Sequence, residues 1–305
     1  MLPFRFVYHS RYDLNLGDHV FAAAKYEMMR ERLLEEGFAS LDDFAAPEPA
    51  TDDDMILVHD EGWVKRLSTG TLGYFEILKL EIPYSRKMVE GVWHATGGSM
   101  LAARLAMRDR IGFNIGGGFH HAFAGHGEGF CAINDIAVAV RRVQRDGLAA
   151  RAMVVDCDVH HGNGTAAIFA GDPSVFTFSI HQRDNYPHEK PPSDLDIHLE
   201  DGVGDKEYLE RLEEGLVSSL DAFQPDIVVY VAGADPYQLD QLGGLRLTME
   251  GLRRRDRLVF DHALARGAAV CVVLAGGYAF EVRDTVAIHV NTAHAARQAI
   301  EALAL

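Results

Sequence analysis

The stretch "VVDCDVHHGNGT", residues 154–165, ends an apolar run in a turn holding two aspartates, two histidines and several small residues. The run itself, within "RAMVVDCD", is short, β-branched and bounded by turn residues, the pattern of a strand buried on both faces. "SVFTFSI", "DIVVYVAG" and "AAVCVVLAGG" repeat it downstream. Longer amphipathic patterns lie between them: "EYLERLEEGLVSSLDAF" after Asp205, and "TMEGLRRRDRLVFDHALARG", which Thr248 can cap and Gly267 can end. Alternation of this kind predicts a doubly wound α/β domain around a parallel sheet. Upstream, "RIGFNI" reads as a strand running into "GGGFHHA". Residues 14–36 read as a loop and then a helix stopped at Gly37, and "NTAHAARQAIEALAL" reads as a closing helix. "APEPATDDD", residues 46–54, is a turn-rich acidic connection too short to mark a boundary, so one domain over residues 1–305 is expected.

Composition narrows the function classes. The chain has 305 residues, 48% hydrophobic and 24% charged, with no run of 18 apolar residues and no basic apolar leader at Met1. A soluble, cytoplasmic protein without a membrane partner is expected. Cys131, Cys157 and Cys271 form no C-x-x-C pair, which argues against a disulfide framework and a thiolate zinc site. The net charge of −16 disfavours nucleic acid and favours cationic substrates such as lysine-bearing peptides or polyamines.

In doubly wound sheets, ligands gather beyond the carboxyl ends of the strands. Every concentration of polar residues follows a predicted strand: Gly116 to His121, Asp156 to Asn163, Ser179 to Tyr186, Gly233 to Asp235 and Gly276 to Tyr278. If the strand persists into the opening turn, Asp158 and His160 alternate about Val159 and share a face. With Asp235 they make a carboxylate–imidazole–carboxylate set of the kind zinc accepts. Taken singly, the aspartates read equally well as helix caps and His160 as a hydrogen-bonded loop histidine. His120 and His121 follow three glycines that permit close backbone approach, and can serve as general base and general acid. Asp156 is a candidate to orient His120, and Asn163 to bond His121 without adding charge. Tyr278 can donate to a developing oxyanion, or else pack under its turn. Phe130, beside Gly129, and Tyr186 lie on loops from different strands, where two rings can wall a channel or simply fill core.

These elements occur in one order from Gly116 to Tyr278: "GGGFHHA", "GFCAINDIAVAV", "DCDVHHGNGT", "SIH", "AGADP" with "LGGLRLT", and "LAGGY". Together they resemble the zinc-dependent histone deacetylase superfamily, which includes acetoin-utilisation proteins and acetylpolyamine amidohydrolases. "GFCAIND", "HHGNG" and "DPYQLDQLGGLRLT" are most similar to its class IV branch and bacterial relatives. The resemblance implies a three-layer αβα arginase/deacetylase fold with a central parallel sheet of about eight strands. It places catalytic Zn2+ on Asp158, His160 and Asp235, the histidine pair on His120 and His121, and the catalytic tyrosine on Tyr278, while the substrate channel along Gly129, Phe130 and Tyr186 stays a reading of their loop positions. It also implies structural K+ at Asp156, Asp158, His160, Ser179 and Ile180, and a more peripheral K+ at Phe169, Asp172 and Val175. Two departures stand out. Asn163 occupies a position where the class I branch has aspartate, and residues 70–92 offer no counterpart of the rim aspartate that grips the substrate backbone in that branch.

The expected reaction is hydrolysis of N-acyl-lysine in a peptide or protein, with His120 or His121 as the base, or of an acetylpolyamine or another small acylated amine. A di-manganese ureohydrolase is disfavoured because Gly162 stands where its second bridging aspartate belongs. A catalytically silent acyl-lysine-binding scaffold is disfavoured by the full set of ligands and the tyrosine. No partner helix, basic patch or tail marks a macromolecular interface, and acyl length stays open.

Overall fold

Every strand pairing in the central sheet is parallel, in the order β2-β1-β3-β8-β7-β4-β5-β6. The strands are β1 (Arg5–Val7), β2 (Phe44–Ala45), β3 (Ile111–Asn114), β4 (Ala152–Asp156), β5 (Val175–Gln182), β6 (Leu195–Leu199), β7 (Ile227–Val231) and β8 (Ala269–Val273). The computed structural model describes residues 1–303. Helices are α1 (Lys25–Glu35), α2 (Asp52–Met55), α3 (Glu61–Thr69), α4 (Tyr74–Leu80), α5 (Arg86–Asp109), α6 (Asp135–Arg145), α7 (Asn163–Phe169), α8 (Asp205–Phe223), α9 (Met249–Ala265) and α10 (Val282–Ala302).

Alternation along the central strands explains their uninterrupted apolar character. Val154, Val229 and Cys271 enter one core with α6 and Ala102, Ala103 and Ala106 of α5. Their neighbours Met153, Val155, Val228, Tyr230, Val270 and Val272 enter the opposite core with α1, α8, α9 and α10. Apolar residues are therefore required at successive positions, which is the signature of a parallel sheet between two helical layers. The expected α/β architecture with eight strands is the one observed. Thr248 accepts from the Gly251 N–H at 2.9 Å to cap α9, and Gly267 turns the chain after it at φ +84°.

Several expectations change at the element ends. β4 stops at Asp156, so strand alternation does not carry Asp158 and His160 to one face; a turn does. β7 stops at Val231, four residues before Asp235. The last helix begins at Val282 rather than Asn291, because Thr285, Val286, His289 and Val290 already bury one side of it. Strands β1 and β2 escape the sequence pattern because they have only three and two residues, and β6 because its partly buried LDIHL mixes polar with apolar residues. Among the described residues, no helix is long and apolar enough to cross a membrane.

β3, β8, β7 and β4 are adjacent, although β4 follows β3 in sequence and β7 and β8 return between them. The order reverses there, and the loops beyond these four carboxyl ends converge on one cleft.

Candidate active site

Asp158, His160 and Asp235 are buried and offer ligand atoms that all lie within 4.8 Å of one another. Backbone donors shape the group. The Asp158 N–H donates to Asp156 Oδ1 at 3.1 Å, the Val159 N–H to Asp235 Oδ1 at 2.8 Å, and the Gly276 N–H to Asp158 Oδ2 at 2.9 Å. A Cβ at Gly276 would collide with the Asp235 carboxylate, so only glycine lets the backbone come this close. Beneath, buried Arg255 donates to Cys157 O at 3.3 Å and Gly233 O at 2.6 Å, joining the loops that carry Asp158 and Asp235.

The electrostatics of this group ask for a cation. Burial and then the Asp158 charge raise Asp235 to about 7. Burial would lower His160, but its hydrogen bond to Asp158 and the adjacent Asp235 carboxylate outweigh it and raise His160 to about 10. Among the described residues, buried Asp235 Oδ2 has no hydrogen-bond partner and sits 3.3 Å from His160 Nδ1. Two carboxylates, one imidazole and an unsatisfied oxygen in a dry turn fit a divalent ion such as zinc.

The two adjacent histidines have opposite settings. His120 Nδ1 lies 2.7 Å from Asp156 Oδ2, and although burial disfavours charge, Asp156 and Asp158 raise His120 to about 9. His121 Nδ1 lies 2.8 Å from Asn163 Oδ1. Burial, then the charges of His120 and His160, push His121 well below its ordinary value. The Asn163 amide is itself oriented, because Nδ2 donates to Glu128 Oε1 at 2.7 Å. Its oxygen must then face His121, which places the imidazole proton on Nδ1 and leaves Nε2 with a free lone pair. Glu128 is anchored from outside by Lys79 Nζ at 2.7 Å.

A cavity of about 190 Å³ opens above these groups, lined by His121, His160, Tyr278, Gly129, Phe130, Tyr186, Asn185, Leu242 and Glu81. The three residues expected to line a channel thus meet in one cavity. Gly129 and Phe130 take φ of +52° and +68°, and a Cβ on Gly129 would lie 2.7 Å from the Tyr186 ring. Tyr186 donates its hydroxyl to Glu128 Oε1 at 3.3 Å. The Tyr278 ring centroid is 6.3 Å from that of His160, and burial with the Asp235 and Asp158 charges keeps its phenol protonated. Asp240 holds this wall together: Oδ2 accepts from the Tyr278 N–H at 2.7 Å and Oδ1 from the Leu242 N–H at 2.8 Å.

The residues singled out for potassium are divided. Asp156, Asp158, His160, Ser179 and Ile180 are buried around the same turn, with Ser179 Oγ 2.9 Å from His181 Nδ1. Phe169, Asp172 and Val175 lie at the far end of α7, where Asp172 pairs with Arg141 at 2.6 Å. Sequence reasoning did not single out Glu128, Asp240, Arg255 or Glu81. The last is an acidic residue inside the 70–92 stretch, held at φ +56° with its carbonyl accepting from His19 Nε2 at 2.9 Å. A carboxylate flanked by glycines in "GEGF" was the available signal for Glu128.

The family model described as "Histone deacetylase domain" matches residues 19–293. The chain belongs to the histone deacetylase family. It is 41% identical over 297 residues to an uncharacterized protein of Picosynechococcus, covering 97% of this chain and 99% of that one. It is 30% identical over 285 residues to Histone deacetylase 2 of Arabidopsis thaliana, covering 89% and 74%. The acetoin utilization protein AcuC of Staphylococcus aureus is 29% identical over 256 residues, covering 77% and 66%. A crystal structure of the HDA15 HD domain superposes with a TM-score of 0.84 at 25% identity, covering 96% of this chain and 88% of that one. Membership of this histone deacetylase family supports a hydrolase of the deacetylase or amidohydrolase type.

Proposed function

We propose that this chain is a zinc-dependent amidohydrolase that removes the acyl group from N-acyl-lysine in peptides or proteins. The observation that carries this reading is geometric: His121, its Nδ1 turned to Asn163 Oδ1, lines one cavity with Tyr278 and with His160 of the Asp158–His160–Asp235 group. Asp158, His160 and Asp235 would hold the zinc, which when bound supplies Lewis-acid polarisation of the acyl carbonyl and eases deprotonation of water. His121 accepts the proton of the attacking water and returns it to the leaving amine. His120, kept as imidazolium by Asp156, offsets negative charge as it develops, and the Tyr278 hydroxyl donates to the oxyanion. Gly129, Phe130 and Tyr186 enclose the acyl-bearing side chain and exclude water. Asp156, Asp158, His160, Ser179 and Ile180 are assigned a structural K+, and residues 1–305 one catalytic domain.

Glu81 at the cavity rim favours a second reading, an acylpolyamine or other small acylated amine, because its carboxylate can pair with a distal ammonium. Turnover of acetyl-, trifluoroacetyl- and myristoyl-lysine peptides and of acetylated polyamines by zinc-loaded protein, beside Asp158→Ala, separates the two. Peptide turnover lost in the variant is expected. Turnover of polyamines alone would shift the assignment to the small amine, and no metal-dependent turnover of either class would refute both.

A further inference from the structure

His161 follows His160 in the same turn, yet engages a different set of groups. Its Nε2 lies 3.1 Å from Asp196 Oδ1 on edge strand β6. Strands β5 and β6 are registered so that Ser179 stands opposite Asp196, and His181 opposite His198. Alternate residues of a strand share a face, so these four side chains form two adjacent rows that His161 approaches. His181 Nε2 lies 2.8 Å from His198 Nδ1, and the His181 ring centroid is 4.7 Å from those of both His161 and His198.

We propose that His161, His181 and Asp196, with His198 beside them, form a second site for a divalent transition ion of the zinc class, separate from the Asp158–His160–Asp235 group. The ligand atoms of the first three lie within 4.8 Å of one another, and His161 and His181 are fully buried. Imidazole nitrogen with one carboxylate oxygen is a donor set for zinc and its neighbours rather than for magnesium or calcium. Outer contacts fix both kinds of ligand. Ser179 Oγ lies 2.9 Å from His181 Nδ1, which can donate to it and leave Nε2 for a metal. The Ser193 N–H donates to Asp196 Oδ2 at 2.9 Å, leaving Oδ1 on the histidine side. Asp196 and His198 are partly exposed at the sheet edge, which gives an ion a way in. An ion here would clamp the turn bearing His160 to β6, so the site is structural. The competing arrangement is a pair of metal-free hydrogen-bonded contacts, His161 with Asp196 and His181 with His198. The two differ in metal stoichiometry.

The test counts zinc and follows cobalt(II) absorption in full-length protein, as wild type and as an Asp158→Ala/Asp235→Ala variant lacking the first group. The expected result is two equivalents in wild type and one in the double variant, with a cobalt spectrum of nitrogen and oxygen ligation. Adding Asp196→Ala, at the partly exposed edge, should weaken the retained ion by more than the roughly 10–100-fold cost of an outer contact. One equivalent in wild type and none in the double variant would overturn the site, as would retained metal indifferent to Asp196→Ala. Should the double variant fail to fold, the wild-type count alone decides. Because the readout is binding, the result stands whether or not acyl-lysine is the substrate.

Discussion

Asn163 donates its amide nitrogen to Glu128 Oε1 across 2.7 Å, and that bond decides which atom it turns toward His121. A neutral amide then faces a histidine that burial and the charge of His120 already push below its ordinary value. Proton abstraction needs His121 neutral, and its lowered pKa keeps it so into mildly acid solution. Replacing Asn163 by Asp alone would set two carboxylates against each other and trap a proton between them. The paired change Asn163→Asp with Glu128→Gln restores a donor and places a single anion beside His121. A nearby anion favours imidazolium, so the acid limb of the kcat/KM profile should move to higher pH by about one to two units. An unmoved limb would remove His121 as the base.

Zinc dependence is tested by removal and return. Chelation should abolish turnover, and zinc returned up to the two equivalents expected of wild type should restore it. Asp235→Ala should lower turnover by at least about a thousandfold, since it removes one of the three groups that would hold the zinc, and far-UV circular dichroism checks that losing the acceptor of the Val159 N–H leaves the fold intact. Activity that survives both treatments would contradict the assignment.

Tyr278→Phe isolates the hydroxyl. Asp240 holds the Tyr278 backbone N–H at 2.7 Å, so the ring should stay in place when the hydroxyl is lost. Loss of one oxyanion donor costs about 10²–10³ in kcat, with KM changed only a few-fold. A kcat within a factor of about three of wild type would leave the phenol a packing role.

What could be read from the sequence depended on whether a residue's task is local. Val154, Val229 and Cys271 announce a parallel sheet because burial on both faces removes polar residues from the strand itself. Asp158, His160 and Asp235 were visible as a donor set through residue type and position after strands, although the turn, not strand alternation, brings the first two together. Glu128 and Asp240 look like solvated turn acids until the fold sets them against Asn163 and the Tyr278 N–H. Glu81 was hidden for another reason, since its left-handed backbone is one that sequence patterns assign to glycine. Strand β2, two residues long, carries too little periodicity to detect.

Arg255 extends this to the support beneath the metal group. Its guanidinium reaches Cys157 O and Gly233 O while pairing with Asp256 at 2.8 Å, all in full burial. A planar fork can span two carbonyls and a carboxylate, whereas a lysine ammonium is a single point. Arg255→Lys keeps the charge and should loosen the two loops relative to each other, lowering zinc affinity by roughly 10–100-fold in a competitive chelator titration. Arg255→Met also strands the Asp256 carboxylate in the core and should cost about 3–5 kcal/mol of stability, seen as a lowered melting temperature of the metal-free protein. If Arg255→Lys bound zinc as tightly as wild type, the two loops would be held by their own backbone bonds, and Arg255 would serve only as the partner of Asp256.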